Sequence, residues 1–515
     1  MNVLIIGTGP ASWATCNALI EKGVRPTVWD VGNKLDENHL AFKENLKEKT
    51  THSLTPSDAF KLYTKANIRN GEFPKKRLYG SDYFHGFNQS YSPLISKESL
   101  IAPTFAQGGF AVGWGGAMLP IRNEDMANWP ITASDLSPHF KRVLQNLPLA
   151  LGSDNSTSTE VFPLFKDIDS LEFLPISLRL QRLQQRLDRN QPDDKCQVAR
   201  LALYSKKENA CNLSGLCLTG CPQNSIYSFS DCFEKWHTDG KINLCRDRLV
   251  YKIEEDDQGV AVKYITGAEK YEERFGRIFL AAGAISSTRI VLESLNKFEV
   301  PVKLLDSQKF IMPMFQLRGG STPTPTFELP SLFWDLQKND HWLHIQINEA
   351  GRFTKEHLPG LVPNWLRSII INRMLIGWGG LHSDHSQSFK LSLLRAHRQG
   401  RPIFHVEPIK TTKITTKLIR RLTKELANYL SKAGVYTSPL LTQIAPPGGG
   451  FHFGGSLTMT TKRQTELETD TLGRLPAWKS VHIVDGSILP SIPATTIALN
   501  IMANADRITC EVLKN

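Results

Sequence analysis

The sequence predicts an α/β protein in which a Rossmann-like, dinucleotide-binding unit is interrupted by an inserted domain. Three observations carry this. The apolar run Val3-Leu4-Ile5-Ile6 leads into the glycine turn Gly7-Thr8-Gly9 and then a helical stretch. A second strand-and-turn of the same kind occurs at Arg277 to Ala284, and a third strong strand at Val481 to Val484. Between the last two lies a longer, more basic and aromatic-rich segment, Pro301 to about Val435, which reads as a separate domain inserted between nucleotide-binding pieces.

Taken in order, Val3 to Ile6 predicts a buried parallel strand, Ala11 to Lys22 a helix ending near Gly23, and Pro26 to Asp30 the second strand. Residues from about 35 to 105 are polar, with turn signals and no clear period. Gly108 to Gly116 is glycine-rich, and Ser134 to Leu147 predicts a helix with Thr132 or Ser134 as its cap. Gly152 to about Pro192 is irregular apart from a helical stretch at Leu178 to Leu187. Leu249 to Ile253 and Val260 to Tyr264 alternate as the strands of a hairpin. A helix from Ser286 to Leu295 follows the second strand-and-turn, and another starts near Thr495.

A length of 515 residues accommodates two packed domains or three small ones, and 41% hydrophobic with 22% charged residues is ordinary for a globular protein. No run approaches the roughly 18 apolar residues of a membrane span, and nothing at the N-terminus reads as a signal peptide, so the expectation is a cytoplasmic protein. The net charge of +11 is concentrated: Lys390 to Lys432 holds eleven Lys/Arg against Glu407 and Glu425. Such a stretch draws an anionic partner or is the solvated face of a helix. Leu418, Leu422, Leu426 and Tyr429 at helical spacing, with Lys417, Arg420, Arg421 and Lys424 between them, fit an amphipathic helix. The basic residues are not interleaved with aromatics, which argues against nucleic acid. Leu361 to Gly377 is unusually apolar and reads as a buried core helix, with a membrane-surface helix as the alternative. Cys211, Cys217 and Cys221 are closely spaced, but the spacing fits neither a zinc site nor a ferredoxin run, and no metal is expected.

The glycine turn has a chemical reading. Gly7 permits the tight turn, Gly9 lets backbone approach a pyrophosphate, and the helix opening at Pro10, Ala11 and Ser12 offers free N–H groups and a positive dipole end to that anion. Ser12 stands where a third glycine is usual. Asp30, ending the second strand, is placed to accept hydrogen bonds from ribose hydroxyls. The turn alone does not choose between NAD and FAD.

The C-terminal third makes that choice. Thr469 to Arg474, Val481 to Pro490 (with Asp485-Gly486-Ser487) and Ala498 to Ala505 together resemble the closing FAD-binding block of the glucose–methanol–choline oxidoreductase family. Gly113-Trp114-Gly115-Gly116-Ala117 with Trp129-Pro130-Ile131 is similar to that family's flavin-covering loop, Leu280 to Ser287 to its second FAD strand-turn, and His452 to Met459 to its catalytic-histidine motif. The resemblance covers roughly half the chain. It implies an FAD-binding Rossmann-like domain built from residues 1–150, 231–300 and 441–515. It also implies a cap segment at 151–230 and an α+β substrate domain on an antiparallel sheet at 301–440. FAD contacts are carried over to Gly113, Gly115, Gly116, Val250, Ala282, Gly283, Asp485, Gly486 and Thr495, besides the first glycine turn. Gly113 stands at the residue before Trp114, where a histidyl flavin link is usual, so FAD is expected to be non-covalent.

Oxidation of a C–OH group needs a base for the hydroxyl proton, and neutral imidazole suits it. The resemblance gives that role to His452. The family's second His or Asn falls on Thr496, which can donate a hydrogen bond but cannot act as a base. By residue type His382, His385 and Glu349 are candidates to complete the site. The leading reading is an FAD-dependent dehydrogenase or oxidase of a sugar or sugar-like alcohol, the substrate small and conceivably anionic, the electron acceptor open. A flavoprotein acting on a lipid-like alcohol at a membrane surface and a non-catalytic flavin-binding protein are the alternatives.

Overall fold

A computed structural model describes residues 2–64, 82–85, 92–96, 98–152, 171–174, 177–190, 195–206, 209–317, 327–338, 341–351, 354–355, 358, 362–396, 400–409 and 412–514. Most of the irregular segment at 152–192, part of the polar stretch at 35–105, and Leu361, Arg398 and Lys410 lie outside the described residues.

A five-stranded parallel sheet runs in the order Val481–Ile483, Arg277–Leu280, Val3–Ile6, Thr27–Trp29, Asn243–Cys245. Its central strand is buried on both faces, which is why the sequence there is uninterrupted Val-Leu-Ile-Ile rather than alternating. Helix Pro10–Glu21 follows the first strand and packs on the last helix, Ala498–Val512, through the Thr15 and Thr509 hydroxyls 3.4 Å apart. The predicted hairpin is a three-stranded antiparallel meander, Leu249–Asp256, Gly259–Thr266 and Glu269–Phe275. It docks on the parallel sheet through Trp29, whose ring lies 4.5 Å from Tyr264 and 5.1 Å from Phe275. Helix Ala133–Gln145 is capped by Thr132, whose side chain and that of Asp135 satisfy each other's backbone N–H.

The second large sheet is antiparallel throughout: Val435–Tyr436, Lys309–Gln316, Met374–Leu381, His341–Glu349, Leu332–Lys338 and Lys195–Val198, with Gln443–Ile444 also pairing Lys309–Gln316. Helices Leu178–Asn190 and Thr412–Lys432 cover one face, burying Leu183, Leu187, Ile419, Leu422 and Leu426 against Met312, Trp334 and Ile345. Helix Leu178–Asn190 and strand Lys195–Val198, from the stretch expected to form a cap, therefore belong to this sheet and its cover. Strand alternation turns Lys309, His344, Gln346, Trp378 and Gly380 to the opposite face.

The apolar stretch at 361–377 is not one core helix. It divides into helix Asn364–Arg373, of which only Ile371 is buried, and the strand starting at Met374. Trp365 is 68% and Ile369 44% exposed, four residues apart on one side of the helix. The sequence misled because the buried strand and the surface helix are both apolar. The basic helix behaves as its period predicts: Lys417, Arg420, Arg421 and Lys424 are all exposed.

One buried carboxylate joins the strand ends. Asp485, just past Val481–Ile483, accepts from the Gly283 N–H (2.9 Å) and Ser287 Oγ on one oxygen, and from the Ser487 N–H (2.9 Å) and hydroxyl (2.6 Å) on the other. Burial raises its pKa against these four bonds. Asp485→Ala strands four donors at a dry strand end and is expected to cost about 3–5 kcal/mol, read as a large fall in thermal midpoint; Asp485→Asn, which keeps an acceptor, should lose less.

Candidate functional site

A cavity of about 400 Å³, within the size range of small-molecule and cofactor sites, lies between the two sheets. Its floor is the carboxyl edge of the parallel sheet, where Gly7, Asp30, Ala282 and Asp485 stand just past four strand ends. Its roof is the uncovered face of the antiparallel sheet, and its far wall is the loop through His452.

Three helices begin at this wall, at Pro10, Ala284 and Ala498. Each leaves first-turn N–H groups without an intrahelical partner; the first such bonds are Trp13 to Gly9, Ser287 to Gly283 and Ile501 to Ile497. Gly7 sits at φ +107°, and a Cβ there would fall 2.4 Å from the Ala281 carbonyl, so only glycine lets the first strand turn beside its neighbour. Gly9 differs: a Cβ on it would meet nothing within 4 Å, because it faces open cavity. Asp30 is held by the Thr8 hydroxyl (2.7 Å) and the Gly32 N–H (2.6 Å), and burial raises its pKa to about 6. Thr8 in turn accepts from the Gly108 N–H (2.8 Å), tying the glycine turn to the loop that covers it. Arg248 lines the same end of the cavity, its guanidinium 4.8 Å above the Tyr264 ring.

The histidine loop is fixed by strand pairing. Phe453–Gly454 pairs with Leu305 and Asp306, and the Gly455 N–H donates to the Gly486 carbonyl at 3.1 Å. Phe451, immediately before the histidine, is held at φ +55°, an unusual conformation for a bulky side chain, with its ring 5.7 Å from Phe110 and 6.3 Å from Phe84. His452 and Thr496 both line the cavity. The Thr496 hydroxyl, however, donates to the Ala117 carbonyl at 3.0 Å, so its hydrogen is already used and only its oxygen lone pairs face a ligand. The donor role read from the sequence does not hold for this rotamer.

Of the residues singled out from the sequence, His452, Thr496, Gly7, Gly9, Pro10, Ala11, Asp30, Gly113, Gly115, Val250, Ala282, Gly283, Asp485 and Gly486 line the cavity. Ser12, Gly116 and Thr495 do not. Ser12 and Thr495 are buried behind the wall, and the Gly116 carbonyl accepts from Ala202 N–H at 2.7 Å, a structural contact. His382, His385 and Glu349 are also off the wall: His382 lies beside Asp125 and Asp384, and the buried Glu349 carboxylate faces Arg179 at 3.8 Å. Among the described residues, none of the basic stretch from Lys390 to Lys432 lines the cavity.

The roof brings polar groups that the sequence reading missed. Lys309, Gly380, His344 and Asp335 stand opposite one another in a row across four strands. His344 Nδ1 lies 2.8 Å from Asp335, which also takes an ion pair from Arg122 at 3.1 Å. Burial alone would raise the Asp335 pKa, but Arg122 and His344 more than offset it and hold the carboxyl below its usual value. Gln346 Nε2 is 3.3 Å from His344 Nε2, and Trp378 donates to Asn348 at 2.8 Å. The signal available was the alternation of His344 and Gln346 with Leu343, Ile345 and Ile347. Among the described residues, His139, Asp506 and Cys510 have ligand atoms close enough to share a metal ion, but Arg142 already bonds Asp506.

No family model matches the chain, and no curated protein matches it by sequence. Its structure does have solved counterparts. Over 100% of this chain and 99% of the other, it superposes on pyridoxine 4-oxidase from Mesorbium loti with a TM-score of 0.60 at 12% identity. The chain shares that oxidase's fold.

Proposed function

We propose that this protein is an FAD-dependent oxidoreductase that oxidises the CH–OH group of a small alcohol, a sugar or a hydroxymethyl-bearing ring. The observation that carries this is a single cavity whose floor has three helix N-termini and the Asp30 carboxylate, and whose opposite wall has His452. The residues fit the cofactor: space at Gly9 and Gly283 where a Cβ would meet nothing within 4 Å, N–H groups for a pyrophosphate, and Asp30 for a ribose. The oxidase of like fold is named for pyridoxine, itself a hydroxymethyl compound, which supports an alcohol substrate.

FAD, when bound, supplies the acceptor for the hydride that leaves the substrate carbon. The chain supplies the rest. His452 takes the hydroxyl proton, so the alcohol becomes a carbonyl. Thr496 oxygen and the Gln346 amide orient the substrate, while Trp114, Phe110 and Trp378 keep water from the reacting end.

The test is the visible spectrum of the purified protein, then anaerobic bleaching with a panel of sugars and aromatic alcohols. A protein that stays colourless after incubation with FAD refutes the reading. His452→Asn should keep the spectrum and lose about 10²–10⁴-fold in kcat. Gly9→Ala should keep the wild-type melting temperature yet bind FAD poorly, because its methyl enters the cavity and no protein atom; Gly7→Ala should lose both.

Exposed Trp365 and Ile369, with exposed Arg373 on the same helix, favour a second reading in which the enzyme works at an anionic membrane surface. Among the described residues no helix is long and apolar enough to cross a membrane. Co-sedimentation with phosphatidylserine vesicles, lost in Trp365→Ser, supports surface docking; absence of pelleting removes it.

A further inference from the structure

We propose that Lys309 is a catalytic residue of this site: its ammonium holds the substrate oxygen as charge builds on it, the donor role that Thr496 cannot fill. This rests on the alcohol-oxidising reading above and adds a residue to it.

Lys309 begins the strand Lys309–Gln316 at the cavity roof and lines the cavity. Its stem lies under the histidine loop: a Cβ on Gly450 would fall 3.3 Å from Lys309 Cγ and 3.0 Å from Asp306 Oδ1. Its Nζ donates to Ser307 Oγ (3.0 Å) and to the Ala494 carbonyl (3.3 Å). The ammonium thus sits between segments carrying His452 two residues on and Thr496 two residues on. An ammonium has three donors and two are used, which leaves one for a ligand. Gly380, opposite Lys309 in the sheet, makes the room: a Cβ there would lie 2.6 Å from Nζ and 2.4 Å from the Ala494 carbonyl.

The charge has a partner but no close ion pair. Asp306, at the end of the strand paired with Phe453, is buried, and its attraction only partly offsets the burial that lowers the Lys309 pKa to about 8. Asp306 itself is raised to about 7, by burial first. The other titratable groups on elements packed around Lys309 are His452 on the glycine loop and His344 in the same sheet row; the segment at Ala494 offers only a carbonyl. Below pH 8 Lys309 is an ammonium and stabilises a developing alkoxide while keeping its own proton; above it that stabilisation fades. Fixed donors of this kind at a site shielded from water contribute about 10²–10³ in rate.

Benzoate tests this without turnover, because its carboxylate stands in for the alkoxide and its ring suits the cavity. Binding to the FAD-loaded protein is followed by flavin absorbance from pH 6 to 9. Wild type should bind below pH 8 and weaken above it. Lys309→Met should bind at least about tenfold more weakly at pH 7 with unchanged FAD content, and kcat/KM for any alcohol that bleaches the wild type should fall by about 10²–10³ without an alkaline limb. Since Lys309→Met strands Asp306, the double variant Asp306→Asn/Lys309→Met, which removes both charges, is measured beside it. If the double variant folds, loads FAD, and keeps benzoate affinity and kcat/KM within about twofold, Lys309 has no such role. If wild type never loads FAD, the parent reading falls first, and this one with it.

Discussion

The architecture depends on close backbone approach at one place, the carboxyl edge of the parallel sheet around Asp485. Its carboxylate bonds the start of helix Ala284–Ser294 and the turn at Gly486–Ile488. The histidine strand is laid on that turn so tightly that a Cβ on Gly454 would fall 2.3 Å from the Gly486 carbonyl. Buried, mutually satisfied bonds thus tie two strand ends, the start of helix Ala284–Ser294 and, through Gly486, the His452 loop to one another. The glycine turn and the His452 loop, hundreds of residues apart in the chain, line one cavity because a junction of this kind joins the segments beneath it.

The same region concentrates energetic cost. Phe451 occupies a left-handed conformation worth about 1–3 kcal/mol of strain. Lys309 and Asp306 are held out of water without direct contact, and Asp30 and Asp485 are carboxyls whose pKa values burial raises. The large cores offset this: Trp334, Met312 and Leu422 belong to one cluster of buried apolar side chains between the sheet and its covering helices. Strain and desolvation cluster around the cavity, where groups must face a ligand rather than one another.

What was legible in the sequence was local. The first strand, glycine turn, helix and acid fall within thirty residues, so their arrangement follows from spacing alone, and fourteen of the twenty residues singled out from spacing or resemblance line one cavity. Thr495 and Gly116 were missed as structural because a turn's sequence does not say which side faces inward. Lys309, His344 and Gln346 were not legible because their meaning is in register. Lys309 is a lone base amid apolar residues until Gly380 and His344 are known to stand beside it. Thr496 shows the reverse case, a residue that lines the cavity but whose hydroxyl hydrogen is spent on a carbonyl 379 positions away.

The roof's second polar group has its own logic. Against burial, Arg122 and His344 hold the Asp335 carboxyl below its usual value, and the carboxylate faces His344 Nδ1 at 2.8 Å. Gln346 Nε2 lies 3.3 Å from His344 Nε2, and Gln346 lines the cavity. A chain of three charged or polar groups thus ends in a neutral amide at the cavity wall. A hydroxyl group, which both donates and accepts, satisfies such an end, whereas an apolar group of the same size leaves it unpaired at a cost of about 1–3 kcal/mol. This end of the cavity is physically suited to a ligand that carries a polar group rather than to a wholly apolar one.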